Sequence, residues 1–137
     1  MKICEILCEA SQKSLYQEND GGTLEGYVVP SSAPNIRNYL QSQGATNEII
    51  DRIVSNYATI GLIRNMYVND DMRGQGFGNE LVSNAIDAAA DHGADAIILV
   101  ADLGESNVIN LQQWYEGFGF ETIGVAGGDP VMLLELY

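Results

Sequence analysis

Apolar residues occur along the chain in short segments. In some segments they are spaced as in strands, and in others as in helices. Alternating or continuous apolar residues predict strands at residues 2–9, 23–29, 59–68, 96–101, 118–125 and 131–137. Apolar residues at intervals of three and four predict helices that begin after Ser31 or Ser32, after Thr46 and after Gly78, with a shorter helix over residues 107–116. Gly44 and Gly93 are predicted to end the first and third helices, because glycine readily adopts the left-handed conformation found there.

The order of these elements predicts an α/β domain. From residue 59 the chain runs strand, helix, strand, helix, strand, strand, and strand–helix–strand units connect parallel neighbours. The last two strands are predicted to form an antiparallel hairpin. The expected result is one domain over residues 1–137, with a mixed sheet and helices on its faces. The last strand, residues 131–137, is expected at the sheet edge, where a second copy could pair and form a homodimer.

Composition and charge limit the class of protein and the kinds of partner that are expected. With 46% hydrophobic residues in 137, the chain is expected to be globular, and no apolar run approaches the roughly 20 residues that span a bilayer. The N-terminus lacks the features of a secretory signal, so a cytoplasmic protein without a membrane partner is expected. The net charge of −13 disfavours binding to nucleic acid and would attract cationic amines. A role in keeping the protein soluble would also explain this charge.

Metal chemistry has little support in the sequence. His92 is the only histidine, and the two cysteines, Cys4 and Cys8, do not form a Cys-x-x-Cys pair. The cysteines are interpreted as small buried apolar residues. No metal site is therefore expected.

A glycine-rich turn lies between the strand that ends at Val68 and the third helix. Its residues are Arg73, Gly74, Gln75, Gly76, Phe77 and Gly78. Glycine permits positive φ values and the close approach of a ligand, and a helix N-terminus presents unpaired N–H groups and the positive end of a dipole. The turn therefore predicts a cradle for a phosphate or pyrophosphate. Its spacing does not match the dinucleotide fingerprint, and it lacks the Lys and the Ser or Thr of a P-loop.

Two motifs carry a family resemblance. The turn contains Arg-x-x-Gly-x-Gly at Arg73, Gly76 and Gly78, and Tyr-Glu-x-x-Gly-Phe follows at residues 115–120. With these motifs in this order, residues 60–137 resemble the GCN5-related N-acetyltransferase (GNAT) family. The resemblance implies an acyl-CoA N-acyltransferase fold, with a mixed, mostly antiparallel central sheet and helices on both faces. Residues 1–59 match less clearly, since the family usually places its helical pair between the first two strands and here the pair follows two strands.

The resemblance also implies a reaction, in which the acetyl group of acetyl-CoA moves to a primary amine by direct attack. The acceptor would be a small-molecule or peptide amine, and the acidic surface favours a cationic one. Tyr115 matches the family's general acid, which protonates the departing coenzyme A thiolate. The residues expected to bind the cofactor are Met66, Tyr67 and Val68 along the pantetheine arm, Arg73, Gly74, Gln75, Gly76, Phe77 and Gly78 at the pyrophosphate, and Asn107, with Asn110 as the next choice.

The general base is the point at which this chain departs from the family. Many members carry a Glu or Asp on the strand before the turn, and those positions here hold Arg64 and Asn65. The alternatives are a water chain, an acceptor of low amine pKa, or a carboxylate from Glu25, Asp102 or the C-terminus at Tyr137. The departure also leaves open a non-catalytic acyl-CoA-binding module, or a domain whose acidic face docks on a basic protein.

Overall fold

Three segments of the chain are described by the computed structural model: residues 12–68, 76–101 and 111–136. The strands in these segments are β1 (Lys13–Ser14), β2 (Gln17–Asn19), β3 (Gly22–Pro30), β4 (Thr59–Val68), β5 (Ala96–Val100), β6 (Glu121–Ala126) and β7 (Asp129–Glu135). The helices are α1 (Pro34–Gln43), α2 (Asn47–Asn56), α3 (Phe77–Asp91) and α4 (Leu111–Glu116). The strand predicted at residues 2–9, with Cys4 and Cys8, lies outside the described residues.

The described strands form one sheet of mixed direction. Its order is β1-β3-β4-β5-β7-β6, and β2 also pairs with β3. The neighbours β4 and β5 are parallel, and every other neighbouring pair is antiparallel. The helical pair α1 and α2 lies between β3 and β4 in the chain, as the sequence predicted. The predicted α/β fold, with a mixed and mostly antiparallel sheet, is therefore confirmed.

Apolar side chains fill a core on each face of the sheet, because successive residues of a strand point to opposite faces. On one face α3 and α4 pack against the sheet with the side chains of Leu81, Val82, Ala85, Ala89 and Tyr115. On the other face α1 and α2 do so with Ile36, Leu40, Ile50 and Ile53. The buried middle of β4 serves both cores, since Leu62 faces α1 and α2 while Ile63 faces α3. No helix in the described segments is long and apolar enough to cross a membrane.

Local sequence signals determine the helix ends. Pro34 occupies the first turn of α1, and Gly44 follows its last residue with φ 95°. Thr46 caps α2, because its side-chain oxygen accepts a hydrogen bond from the Ile49 N–H at 3.4 Å. Gly93 follows α3 with φ 80°. These boundaries agree with the sequence predictions, whereas α3 begins at Phe77 and not after Gly78 as predicted.

The C-terminal strands differ from prediction in their order. β7 lies between β5 and β6, since Met132 pairs with Leu99 on one side and with Thr122 on the other. The prediction that residues 131–137 form an edge strand is therefore wrong, and the outer strand on this side is β6. Both edges of β7 are already paired, so a second copy cannot add a strand there as predicted. β6 also begins later than predicted, because the chain first turns at Gly119, whose φ is 104°.

Candidate active site

The parallel strands β4 and β5 separate to form a slot. They pair at only three positions, and the last pair joins Leu62 to Ile98. Beyond it β4 continues to Val68 while pairing with β3 on its other edge, and β5 continues to Val100 while pairing with β7. Within the described residues, no strand pairs with the edge of β4 after Leu62. This edge therefore leaves backbone groups available to an extended ligand.

A β-bulge in β4 accompanies the separation. Glu25 pairs with Asn65 and Gly26 with Ile63, so Arg64 is the extra residue on β4. A bulge bends its strand and increases the local twist. The bulge lies directly after the last pair with β5, so β4 becomes irregular where its pairing with β5 ends. Arg64 and Asn65 are both exposed there.

The N-terminus of α3 lies at the end of the slot. Gly76 precedes the helix with φ 86°, and no described side chain caps it. Among the described residues, nothing lies within 4 Å of a Cβ placed at Gly76, and its positive φ favours glycine there. A Cβ at Gly78 would lie 3.5 Å from Val68 Cγ2, so the first turn of α3 lies beside the end of β4. Phe77 and Gly78 are half-buried.

The predicted cofactor residues are only partly within the described segments. Met66, Tyr67 and Val68 lie on β4 along the slot, where Tyr67 is 59% exposed. Gly76, Phe77 and Gly78 form the start of α3. The remaining ones, Arg73, Gly74, Gln75 and Asn107, lie outside the described residues, as do Asn110, Asp102 and Tyr137.

Tyr115 lies on α4 and is buried at the core between α3 and the sheet. Its side chain is 6% exposed, and its ring makes edge contacts with Trp114 at 4.9 Å and with Phe120 at 5.9 Å. Burial raises the pKa of Tyr115 to about 12, and the phenol of Tyr39 adds to the rise. Tyr39 packs with the α1 and α2 core on the opposite face, so this influence acts across the sheet. The Tyr115 hydroxyl therefore stays protonated at neutral pH.

Trp114 connects α4 to the first turn of α3, a role that sequence reasoning missed. Its indole Nε1 donates a hydrogen bond to Asn79 Oδ1 at 2.9 Å, and its ring also contacts Phe118 at 5.0 Å. The Trp114 side chain is partly buried against the core between α3 and the sheet. A buried indole usually needs a hydrogen-bond partner, but Asn79 gives no local signal that it is that partner.

A family model confirms the resemblance. A model described as an acetyltransferase (GNAT) domain matches residues 39–122, more than half of the 137 residues. This protein belongs to the GNAT acetyltransferase family. The match begins in α1 and ends in β6, so it includes the strands and helices around the slot. No curated protein gives a significant sequence match.

Solved acetyltransferase structures share the fold at low sequence identity. The NatC complex bound to Gag peptide and CoA aligns with a TM-score of 0.54 and 22% identity over 85% of this chain and 61% of that chain. Drosophila melanogaster polyamine N-acetyltransferase aligns with a TM-score of 0.56 and 10% identity over 85% and 69%. PaiA N-acetyltransferase from Thermoplasma acidophilum, in complex with coenzyme A, aligns with a TM-score of 0.54 and 13% identity over 84% and 53%. This chain therefore spans 53% to 69% of the length of these three chains.

Proposed function

We propose that this protein transfers the acetyl group of acetyl-CoA to a primary amine. The observation that carries the proposal is the slot between β4 and β5, which offers an open strand edge and ends beside the N-terminus of α3. Membership of the GNAT family supports the same chemistry. Acetyl-CoA is the co-substrate, and it supplies an acetyl group activated as a thioester.

The described residues suit an extended co-substrate with a charged end. The open edge of β4 provides backbone groups at Met66, Tyr67 and Val68 for the pantetheine arm. The uncapped N–H groups at the start of α3 suit the pyrophosphate, because they carry the positive end of the helix dipole. No side chain at Gly76 obstructs that approach. We propose that Arg73, Gly74, Gln75, Gly76, Phe77, Gly78 and Asn107 complete this binding site.

The reaction requires two proton movements. The amine nitrogen attacks the acetyl carbonyl carbon, a C–N bond forms and the C–S bond breaks. One proton leaves the amine and another reaches the sulfur. A backbone N–H of Met66 or Tyr67 would donate a hydrogen bond to the carbonyl oxygen while negative charge develops on it.

Tyr115 is proposed as the donor to the departing sulfur. With its pKa raised to about 12 and a free thiol near 8.5, complete proton transfer from Tyr115 would be unfavourable by roughly 3.5 pKa units, or about 5 kcal/mol. A hydrogen bond that strengthens as the C–S bond breaks does not require that complete transfer. We therefore assign Tyr115 the role of hydrogen-bond donor to the sulfur as the C–S bond breaks, and the thiolate can then take its proton from solvent.

Glu25 is proposed to accept the amine proton. It is the one member of the three candidate carboxylates that lies within the described residues. It pairs in register with Asn65, and side chains of such cross-strand pairs begin about 5 Å apart. Its side chain is exposed and shares a sheet face with Tyr27, two residues further along β3. A carboxylate is thus present beside the position at which other family members carry theirs.

A non-catalytic acyl-CoA-binding module is the second candidate function. Arg64 and Asn65 favour it, because both replace the expected carboxylate and both are exposed at the bulge. Such a module would bind coenzyme A in the same slot and would not consume acetyl-CoA. Binding and thiol release therefore have to be measured separately.

Thiol release from acetyl-CoA across a panel of amines tests the proposal. The panel contains polyamines, aminoglycosides, amino acids, short peptides and a basic protein, and thermal shifts with CoA and acetyl-CoA accompany it. A thermal shift with release for one amine class is the expected result. A shift without release would favour the binding module. No shift with either compound would contradict both candidate functions.

A further inference from the structure

The turn at residues 19–22 contacts both the end of β4 and the start of α3. Gly22 pairs with Val68, the last residue of β4. Asn19 Nδ2 donates a hydrogen bond to the Phe77 carbonyl oxygen at 3.2 Å, at the start of α3. The turn is therefore bonded both to the last residue of β4 and to the first residue of α3.

The side-chain amide of Asn19 uses its full hydrogen-bonding capacity. Its Oδ1 accepts from the Gly21 N–H at 2.9 Å and from the Gly22 N–H at 3.1 Å. Its Nδ2 donates to Glu80 Oε1 at 2.8 Å in addition to Phe77. A reversed amide would place donors against donors, so the surrounding groups determine its orientation. The amide is therefore a fixed link between the turn and α3.

Glycine at two positions brings the turn into direct contact with its neighbours. A Cβ at Gly21 would lie 2.3 Å from Phe77 Cγ, and a Cβ at Gly22 would lie 1.9 Å from the Tyr67 carbonyl oxygen. A side chain at either position would force α3 or β4 to move. The turn is therefore packed between the end of β4 and the start of α3.

We propose that Asn19 is a positioning residue for the co-substrate site. This inference rests on the proposed function, which places acetyl-CoA between β4 and α3. Asn19 holds the first turn of α3 against the end of β4, so the N–H groups for the pyrophosphate and the open strand edge are arranged before binding. A prearranged site binds more tightly, because less ordering accompanies binding. Asn19 does not touch the reacting atoms, so its loss should weaken binding more than it slows the chemical step.

Asn19→Ala tests this role by separating affinity from turnover. We expect the Kd for acetyl-CoA, measured by calorimetry on the folded protein, to rise about 10-fold, equivalent to about 1.4 kcal/mol. The kcat at saturating acetyl-CoA and the KM for the amine should change less than about twofold. Asn56→Ala is the matched control, because it removes only a local bond to the Arg52 carbonyl oxygen on α2. Its Kd should equal that of the unmodified protein.

A charge exchange provides an independent test. Asn19→Asp places a carboxylate against the Phe77 carbonyl oxygen and the Glu80 carboxylate, so it should weaken acetyl-CoA binding at least as much as Asn19→Ala. Adding Glu80→Gln should recover most of the affinity, because the Gln amide can donate to the new carboxylate. If Asn19→Ala does not fold, this pair of variants decides the question.

The outcomes distinguish the positioning role from the proposed function. Unchanged Kd in folded Asn19→Ala, with only a lower free energy of unfolding, would overturn the positioning role and leave the acetyltransferase proposal standing. Failure of Glu80→Gln to restore binding to Asn19→Asp would also count against it. Failure of the unmodified protein to bind acetyl-CoA would overturn the proposed function and the positioning role together.

Discussion

Tyr115→Phe removes one hydroxyl and preserves the aromatic ring. The ring should keep its edge contacts with Trp114 and Phe120, at 4.9 and 5.9 Å. Tyr115 is only 6% exposed, and the substitution leaves a cavity no larger than the lost hydroxyl. We expect the free energy of unfolding at pH 7 to change by no more than about 1 kcal/mol. The substitution thus tests the chemistry with little change to the fold.

The expected loss of activity follows from the role of the hydroxyl as a donor. General acids and bases typically contribute about 10²- to 10⁴-fold to turnover. Burial raises the pKa of Tyr115 to about 12, which makes it a weak acid toward a thiolate, so the lower end of that range applies. We expect kcat to fall about 100-fold, which corresponds to about 2.7 kcal/mol of transition-state stabilisation. The Kd for acetyl-CoA should stay within about twofold, because the lost interaction strengthens only as the C–S bond breaks.

Thiol release at saturating acetyl-CoA measures kcat, and calorimetry measures the Kd on the same preparations. Tyr16→Phe is the matched control, since Tyr16 is 49% exposed between β1 and β2. It should behave as the unmodified protein in both measurements. A Tyr115→Phe variant with unchanged kcat would refute the donor role. A variant whose Kd rises as much as its kcat falls would indicate that the hydroxyl supports binding instead.

Three further predictions concern the same site. The raised pKa of Tyr115 means that its contribution to stability is present below about pH 10 and lost as the pH rises toward about 12; chemical denaturation across this range should show a decline of up to about 3 kcal/mol that is absent in Tyr115→Phe. Gly76→Ala and Gly93→Ala place a Cβ at φ 86° and 80° in open space at opposite ends of α3, so each should cost about 1–2 kcal/mol of stability, but calorimetry should show weaker acetyl-CoA binding only for Gly76→Ala. Glu25→Gln should lower kcat near neutral pH and less so at high pH, where the free amine is already abundant, while Glu18→Gln should leave the pH–rate profile unchanged; identical profiles for the two variants would exclude Glu25 as the base.

Local signals account for the parts of the fold that the sequence predicted. Pro34, Gly44 and Thr46 act on the backbone within a turn of their own position, so the ends of α1 and α2 follow from them. Five of the ten residues of β4 are β-branched or aromatic, so its extent follows in the same way. The glycine turn and the Tyr-Glu-x-x-Gly-Phe motif identified the family for the same reason, since each is contiguous in the chain.

Contacts between distant segments account for what the sequence did not predict. Asn19 bonds to Phe77 and Glu80 over separations of 58 and 61 residues, and the sequence around it indicates only a turn. The place of β7 between β5 and β6 depends on which strand edges are free after the slot has formed, which no local pattern specifies. The bulge at Arg64 is likewise a property of the pairing with β3 and not of β4 alone.

The slot itself explains why such distant contacts collect around it. Once β4 and β5 part after Leu62 and Ile98, sheet hydrogen bonds no longer hold β4 and α3 in place relative to β5 and α4. Yet the proposed reaction needs backbone groups from β4 and the Tyr115 hydroxyl from α4 at a distance fixed to a fraction of an ångström. The Trp114–Asn79 hydrogen bond supplies one link in place of the absent β4–β5 pairing, since it joins α4 to the first turn of α3. Asn19 supplies another, since it joins that same turn to Gly22 of β3, which in turn pairs with Val68 of β4. On this physical account, side-chain hydrogen bonds maintain the geometry of the site where the parallel strands of the described sheet no longer pair.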